Sequence, residues 1–374
     1  MGRGVRIFLK TFLVLLIIAG FIWLLIRQIP DPPAAEMQFA RNALAEAREK
    51  NAESYSPNTF RMASSHYDSA MVHWRQQNER FILTRDYSEV IRYAGLSAGY
   101  SVKAAEHSSK SSKTLKSQLE AKIAELSSVV SRINNHFFRY PLPSEVRNRI
   151  SRGKMLLSEA IVAYNKGSYL QANRKITDAG SLLGNSLEYA TNSLTEYFKS
   201  YSQWKNWMDK TIAESKQKKI AVIIVDKFAG KCYLYQNGIR KAEYDAELGK
   251  SWIGGKRQRG DNTTPEGLYR ITKKLEGGAT KYYKALLINY PNEDDKKRFN
   301  EAVKSGALPA SARIGGLIEI HGHGGKGDDW TEGCVALSDS DMDKLYKQVK
   351  VGTPVTIIGS AENLNTINRK QNGK

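Results

Sequence analysis

A histidine and a cysteine stand close together in the glycine-rich stretch IEIHGHGGKGDDWTEGCVALS, which begins and ends with apolar runs. His321 closes the first run and Cys334 opens the second, and both runs are typical of strands. Two neighbouring strand ends can bring an imidazole beside a thiol, and a histidine there either lowers the pKa of the thiol or takes its proton. The sequence therefore predicts a cysteine nucleophile, Cys334, with His321 as its base.

The glycines of this stretch predict an oxyanion site made of backbone. Gly333 lets the chain turn sharply before Cys334 and directs amide N–H groups at one point, where they can stabilise the oxyanion of a tetrahedral intermediate. Gly322, directly after His321, is a further candidate for this backbone oxyanion site. Because Gly322 has no side chain, the group that orients His321 has to be a backbone carbonyl or a residue from elsewhere.

Other residues of the stretch leave alternatives open. His323 would share the face of His321 on a continuing strand, so it is an alternative base and a candidate substrate contact. Trp330 is a candidate for lining the substrate channel or for covering the core. These residue types also suit zinc, which needs converging ligands, and the candidate ligands are His321, His323, Asp328 and Cys334. We expect no metal and no cofactor, because the thiol itself supplies the covalent step.

The elements that must position these residues are mainly strands. From residue 218 onward, short apolar runs alternate with turn residues, and Asn237-Gly238 between two of them predicts a type I′ hairpin. The further strand-like runs are GLYRIT, KALLINY, GGLIEIH, CVAL and TPVTII. Ser338 can cap the N-terminus of a helix. We expect a mostly β (α+β) domain at 218–360 and a polar tail at 361–374.

Residues 35–215 carry a helical pattern instead. Apolar residues recur there at three- and four-residue steps, as in LKSQLEAKIAELSSVVSRI. Pro57, Pro141 and Pro143 mark helix boundaries. The region has no cluster of His, Cys and carboxylate residues, so we expect an all-α spacer or interaction domain, and a protein partner is one candidate for what it binds.

The N-terminus predicts a membrane anchor within residues 1–30. The basic flank MGRGVRIFLK precedes the uncharged, apolar segment Thr11–Ile26. As a helix this segment spans about 24 Å, and Ile7–Lys10 extends it to about 30 Å, which is enough for the hydrocarbon core of a bilayer. A cleaved signal peptide is the alternative. We expect a single uncleaved transmembrane helix with the rest of the chain outside the cytoplasm, since positive flanks stay inside.

The net charge of +19 is unevenly distributed. Residues 220–374 carry 25 Lys and Arg against 19 Asp and Glu, which is +6, so residues 1–219 carry the remaining +13. A basic balance favours anionic neighbours such as lipid headgroups or wall polymers, although much of it is an ordinary solvated surface. Zinc-finger spacing and nucleic-acid-binding motifs are lacking, so we expect no nucleic-acid partner.

The motifs of residues 218–360 together resemble the L,D-transpeptidase catalytic domain family, of YkuD type. EIHGHGGKGDDWTEGCVALS is similar to the family's IHG strand end followed by Ser or Thr, any residue, Gly and Cys. CYLYQNGIRKAEYDAELG resembles its opening hairpin, GDNTTPEGLYRI its TPxGxY strand, KYYKALLINYPN its central strand and VGTPVTI its closing strand. The resemblance covers under half of the chain.

The resemblance implies roles by position. Cys334 resembles the family's acylated nucleophile and His321 its base, with backbone N–H donors from Gly333 and Cys334. Thr331 resembles the Ser or Thr of the motif and is a candidate substrate contact. The sequence departs from the commonest form at two positions. Glu332 stands where many members have His, and Ala336 stands where many have an Arg that binds the substrate's carboxylate.

The resemblance also implies a reaction, namely acyl transfer on peptidoglycan stem peptides at the cell-wall side of the inner membrane. The thiolate would attack the amide between the third residue, a diamino acid, and a terminal D-alanine. D-alanine leaves, and an amine of a neighbouring stem or water resolves the thioester. The alternatives are an L,D-carboxypeptidase or amide hydrolase that releases wall-attached groups, and a non-catalytic wall-binding scaffold.

Overall fold

The computed structural model describes residues 2–137 and 139–372. Its first helix, α1 (Arg3–Arg27), contains the apolar stretch Ile7–Arg27, which has a mean hydropathy of 2.6 and is not buried by the rest of the chain. Length and composition allow this helix to cross a membrane, and a signal sequence near the N-terminus has the same properties. The chain forms two compact units, one from residues up to 123 with 160–174, the other from 124–159 with 175 onward.

The helical region is made mainly of long amphipathic helices. Pro57 occupies the first turn of its helix, and the positive φ of 75° at Gly167 forms the turn between two others. Buried alanines, such as Ala40, Ala63 and Ala70, let the helices of the first unit approach closely. The helices are α2 (Ala34–Glu49), α3 (Ala52–Tyr55), α4 (Pro57–Asn78), α5 (Ser88–His136), α6 (Ser144–Asn165), α7 (Tyr169–Tyr197) and α8 (Tyr201–Lys218).

The strands of the C-terminal part form one mixed sheet in the order β3-β2-β1-β8-β4-β5-β6-β7. The pairs β1–β8 and β6–β7 are parallel, and the other neighbours are antiparallel. The strands are β1 (Ala221–Asp226), β2 (Lys231–Gln236), β3 (Ile239–Asp245), β4 (Gly267–Glu276), β5 (Lys284–Ile288), β6 (Glu319–His321), β7 (Val335–Ala336) and β8 (Pro354–Ile358). The predicted fold class, a helical region followed by a mostly β domain, is confirmed.

Local sequence explains several of these elements. Residues 222–225 are buried on both faces of the sheet, so β1 reads as a continuous apolar run. Asn237 and Gly238 have φ values of 55° and 76°, as a type I′ turn requires. Ser338 accepts a hydrogen bond from the Asp341 amide at 3.2 Å and caps the following helix, as predicted.

Three helices accompany the sheet, namely α9 (Glu293–Lys304), α10 (Asp339–Gln348) and α11 (Leu364–Asn372). In α9 the side chain of Asn292 accepts from the Asp295 amide, and Asp295 reaches back to the Asn292 amide, which makes a complete capping box. The helix α11 lies inside the segment expected to be a polar tail, where Ile367 is buried.

A buried ion pair ties the second unit's helices to its sheet. Lys227, fully buried after β1, donates to the Glu266 carboxylate at 2.8 Å. The same carboxylate accepts from the Tyr197 hydroxyl of α7 at 2.8 Å and from the Trp204 indole of α8 at 2.9 Å. Since Glu266 directly precedes β4, α7 and α8 are anchored at the start of that strand.

Candidate active site

The parallel pair β6–β7 places the predicted nucleophile and base on one face of the sheet, where the Cys334 thiol donates to the Leu317 carbonyl at 3.8 Å. Its register pairs Ile320 with Val335 and His321 with Ala336. Alternation along the strands places Cys334 on the same face as His321, as its diagonal neighbour. Such diagonal neighbours have backbones roughly 7–8 Å apart, within reach of a ring side chain.

His321 is fully buried and held in one orientation. Its Nδ1 lies 2.7 Å from the carbonyl oxygen of Gly322. Because a carbonyl only accepts, Nδ1 carries the proton and Nε2 is the basic atom of the neutral ring. The ring of Tyr282 stacks on the imidazole with centroids 3.5 Å apart. Within the described residues, Nε2 has no hydrogen-bond partner.

Burial keeps both members of the pair uncharged at neutral pH. It lowers the pKa of His321 to about 4, an effect that the Gly322 carbonyl opposes and Lys281 reinforces. Burial also raises the pKa of the Cys334 thiol to about 11, against a hydrogen bond from the Glu319 amide. Of the two effects that a histidine can have on a thiol, this geometry fits proton removal rather than a lowered thiol pKa.

The turn before the thiol requires glycine. Gly333 has a φ of 131°, and a Cβ there would meet the Thr263 carbonyl oxygen at 2.7 Å. Thr331 is buried and fastens this turn, because its hydroxyl donates to the Cys334 carbonyl at 2.8 Å and accepts from the Gly333 amide at 3.2 Å. Thr331, which the resemblance matched to the motif's Ser or Thr, thus holds the backbone that carries the thiol.

Gly322 and His323 directly follow His321 in the chain. The Gly322 amide donates to the Lys284 carbonyl of β5 at 3.0 Å, so it is not free to bind an oxyanion. The Gly322 carbonyl is the group that contacts the imidazole. His323 has a φ of 65°, is half-exposed, and stands 3.4 Å from the Asp339 carboxylate. The strand ends at His321, so the continuing strand that would have given both histidines one face is not formed.

Trp330 contacts the site through its ring. Its indole N–H donates to the Glu247 carboxylate at 2.7 Å, and its ring centroid lies 6.0 Å from that of His321, edge to face. The ammonium of Lys326 lies 3.3 Å from the indole centroid. The imidazole of His321 therefore has two aromatic neighbours. Trp330 contacts it edge to face, and Tyr282 stacks parallel to it.

The thiol opens into a cleft of about 940 Å³ with basic walls. Lys256 is buried in an ion pair with Asp261 at 2.6 Å, which gives Asp261 a structural partner. The other cations of the lining are exposed, and no ion pair of their side chains is found within residues 2–137 and 139–372; they are Lys250, Arg259, Lys281 and Arg313. Two acids, Glu319 and Glu332, also line the cleft.

The structure describes the state of both cysteines and of the candidate metal ligands. Cys232 and Cys334 are both free, and Cys232 is buried in β2, where burial raises the pKa of its thiol to about 12. Nowhere in the described part of the chain do three His, Cys, Asp or Glu side chains converge in a way that could hold a metal ion. The cleft is thus lined by the Cys334 thiol, by cations and by two acids, and the His321 imidazole lies buried behind it.

Three neighbours of the site were not found from the sequence. Tyr282 stacks on His321, Glu319 lies beside Cys334, and Glu247 holds the Trp330 indole. Glu319 could have been found, since it is two residues before His321 and shares its face. Tyr282 and Glu247 come from distant segments whose local pattern carries no such signal.

The comparisons with known proteins point to one family. The family model of the YkuD L,D-transpeptidase catalytic domain matches residues 220–357. The putative L,D-transpeptidase YafK of Escherichia coli (strain K12) is 28% identical over 97 residues, which cover 26% of this chain and 32% of that protein. The chain therefore spans about a third of the length of the curated relatives that it matches.

Two solved structures align with part of this chain. Bd1075 of Bdellovibrio bacteriovorus aligns with a TM-score of 0.30 and 23% identity, covering 41% of this chain and 53% of that chain. An L,D-transpeptidase from Mycobacterium smegmatis aligns with a TM-score of 0.25 and 14% identity, covering 37% of this chain and 58% of that one. By its family match, the segment 220–357 belongs to the YkuD-type L,D-transpeptidase catalytic domains.

Proposed function

We propose that this protein is an L,D-transpeptidase that acylates Cys334 with a peptidoglycan stem peptide. The observation that carries the proposal is the buried, neutral His321, whose Nε2 has no hydrogen-bond partner among the described residues and which shares a face with Cys334. An unprotonated imidazole nitrogen without a partner is suited to accept the proton of a thiol as the sulfur attacks.

The chemistry proceeds in two halves. The sulfur of Cys334 bonds to the carbonyl carbon of the amide between the diamino acid and D-alanine, while the thiol proton passes to Nε2 of His321. The resulting oxyanion accepts from the backbone N–H group of Cys334, because the Gly333 amide, the other donor expected from the sequence, already donates to the Thr331 hydroxyl. The C–N bond then breaks, the proton moves from Nε2 to the leaving D-alanine amine, and a thioester remains.

In the second half an acceptor amine attacks the thioester. Its proton is taken by Nε2 of His321, the C–S bond breaks, and the proton returns to the sulfur of Cys334. An amine of a neighbouring stem gives a cross-link, and water gives the trimmed peptide. The same two side chains serve both outcomes, so the acceptor decides whether the product is a cross-link or a hydrolysed stem.

The cations of the cleft supply what the missing arginine would. Ala336, at the position where many family members have Arg, is fully buried, and its backbone N–H and C=O both bond to the backbone of Glu247. Arg259, Arg313 and Lys281 line the cleft instead, exposed and without ion-pair partners in the part of the chain that the structure describes. We assign to them the binding of the stem peptide's carboxylates.

Carbapenem trapping followed by intact-protein mass spectrometry tests the proposal. A carbapenem has a strained amide that a thiol can open, so wild-type protein should gain one covalent adduct, and Cys334→Ala should gain none. His321→Ala should slow adduct formation about 10²–10⁴-fold, the usual contribution of a general base, and His323→Ala should slow it less. An adduct on Cys334→Ala, or a larger loss in His323→Ala than in His321→Ala, would overturn these roles.

Incubation with a stem tetrapeptide identifies the acceptor. Dimer indicates transpeptidation and tripeptide alone indicates hydrolysis. If the protein forms the carbapenem adduct but yields neither dimer nor tripeptide, the donor is a wall-attached amide instead. If it forms no adduct and no product, the result favours a non-catalytic scaffold.

A further inference from the structure

The connection between α5 and α6 reaches the loop that carries the thiol. Arg139, in this connection, donates to the Asp329 carboxylate at 2.8 Å and to the Ala246 carbonyl at 3.3 Å. The Asp329 side chain is nearly buried, with 10% of its surface exposed. The backbone carbonyl of Arg139 accepts from the Trp252 indole at 3.0 Å. Both ends of Arg139 are therefore fixed to the sheet domain.

Asp329 belongs to the loop between β6 and β7 and shares its fixing points with Trp330. Its carboxylate also accepts from the Leu248 amide at 2.8 Å. Glu247, which directly precedes Leu248, accepts from the Gly327 amide at 2.6 Å and from the Trp330 indole at 2.7 Å. Two adjacent carboxylate contacts thus hold this loop, and Arg139 neutralises one of them.

The sheet domain also leaves a slot for this guanidinium. A Cβ at Gly230 would lie 1.5 Å from Nη1 of Arg139, and Gly230 has a φ of 61°. No other residue type would fit there without displacing the guanidinium. The space at Gly230 and the ion pair fix the guanidinium of Arg139, and the bond from Trp252 fixes its backbone.

We propose that Arg139 is a positioning residue of the active site, which sets the place of Trp330 and His321 through Asp329. The proposal rests on the acyl-transfer function proposed above. Because Trp330 contacts the imidazole edge to face at 6.0 Å, a shift of residues 329–330 moves a wall of the histidine's pocket. A displacement of about 1 Å in such a wall can cost on the order of 10²-fold in rate. The helical region thereby becomes part of the machinery that sets the acylation rate.

The full-length protein tests this with Arg139→Ala, Arg139→Lys, Asp329→Asn and the double variant Arg139→Ala/Asp329→Asn. We expect Arg139→Ala to acylate roughly 10- to 100-fold more slowly with a carbapenem, with part of the rate restored in Arg139→Lys. The double variant should be little slower than Arg139→Ala, because both changes break one ion pair. Arg149→Ala is the matched control, since Arg149 has the same 35% side-chain exposure and pairs within α6 with Glu145.

A second readout separates positioning from mere stability. The indole N–H resonance of Trp330, assigned with Trp330→Phe, should shift and exchange faster with solvent in Arg139→Ala but not in Arg149→Ala. Equal acylation rates in these two variants would overturn the positioning role and leave the proposed function intact. If wild-type protein forms no adduct, the proposed function fails, and an unchanged indole resonance in Arg139→Ala would then overturn the positioning role as well.

Discussion

At the scale of single residues, the candidate site depends on keeping one imidazole neutral. Tyr282 covers the face of His321, the Gly322 carbonyl fixes its proton on Nδ1, and Nε2 is left for a reacting proton. Desolvation that lowers the pKa of the imidazole also raises the pKa of the thiol beside it. In the mechanism that we propose, a neutral pair of this kind transfers its proton during the attack rather than before it.

The neutral pair predicts a distinct pH profile of acylation. The rate with a carbapenem should fall below about pH 5, as His321 binds a proton with its pKa of about 4, and should not decline between pH 7 and 9. A preformed thiolate–imidazolium pair would instead lose rate at alkaline pH, where the imidazolium gives up its proton. Thiolate absorbance, compared between wild-type protein and Cys334→Ala, should appear only toward the pKa of about 11.

The same shift predicts how stability depends on pH. Between pH 6.5 and about 4 the histidine of the unfolded chain binds a proton that folded His321 does not. The unfolded state then binds more protons, so stability is complete above pH 6.5 and is lost as the pH falls toward 4. The loss attributable to this group is about 3 kcal/mol. Urea unfolding of wild-type protein and His321→Gln at pH 7 and pH 4.5 measures it, and equal pH dependence in both would contradict the assignment.

The basic cleft predicts a carboxylate requirement in the donor. Arg259→Gln/Arg313→Gln should raise KM for a stem tetrapeptide about tenfold for each charge removed, with a smaller change in kcat, because charge-assisted hydrogen bonds contribute about 1.5–3 kcal/mol each. Peptide with amidated carboxyl groups should show much less difference between the variant and wild type. Arg257→Gln is the control, since its guanidinium contacts the Ala307 carbonyl and does not line the cleft.

The site residues predicted from the sequence lie within one stretch of chain, whereas those that were missed come from distant segments. Cys334, His321 and Gly333 lie in one stretch, where residue type and order already suggest the chemistry. Tyr282, Glu247 and Arg139 reach the site from segments that lie far away along the chain. Their positions depend on strand pairing and on the packing of the helical connection, which no local pattern specifies.

At the scale of elements, the sheet shows the same division. The hairpin at Asn237-Gly238, the strand ending in His321 and the helix capped by Ser338 all follow from local patterns and are confirmed. The strand order does not follow from them, because β8 inserts between β1 and β4 and β7 pairs with β6 in parallel. These pairings join segments far apart in sequence, and the β6–β7 pair places the thiol and the imidazole on the same face of the sheet.

The buried Lys227–Glu266 ion pair, between the end of β1 and the start of β4, is predicted to contribute strongly to the stability of the fold. Removing one partner, in Lys227→Met or Glu266→Gln, should cost about 3–5 kcal/mol, because the other group is left buried without its counter-charge. The double variant should cost much less than the sum of the two. Urea unfolding measures this, and Lys199→Met is the control, since its pair with Glu196 is about 70% exposed on both sides and should contribute no more than about 1 kcal/mol. Additive single and double variants would contradict the coupling.

At the scale of the whole molecule, the N-terminal helix and the charge distribution support a location at a membrane. The stretch Ile7–Arg27 has the length and the hydropathy of a membrane-spanning helix, and the basic residues before it favour an orientation with that end in the cytoplasm. A catalytic domain that acts on stem peptides has to lie on the cell-wall side. We therefore propose a single-pass inner-membrane protein with its catalytic domain in the periplasm, and the helical region is its candidate site for a protein partner.

An uncleaved anchor makes a prediction that a signal peptide does not. Protein extracted from membranes should keep the mass and the N-terminal sequence of the chain from its first residues, and a mature chain that begins near Ala34 would show cleavage. Leu16→Arg should reduce membrane retention, because a charge at the centre of a spanning helix costs about 2.5–3.5 kcal/mol on insertion scales. Arg27→Gln, at the end of the helix where a side chain reaches the interface, is the control and should be retained like wild type. Carbapenem labelling in intact spheroplasts completes the test: an impermeant reagent that reaches Cys334 only after lysis would contradict the orientation.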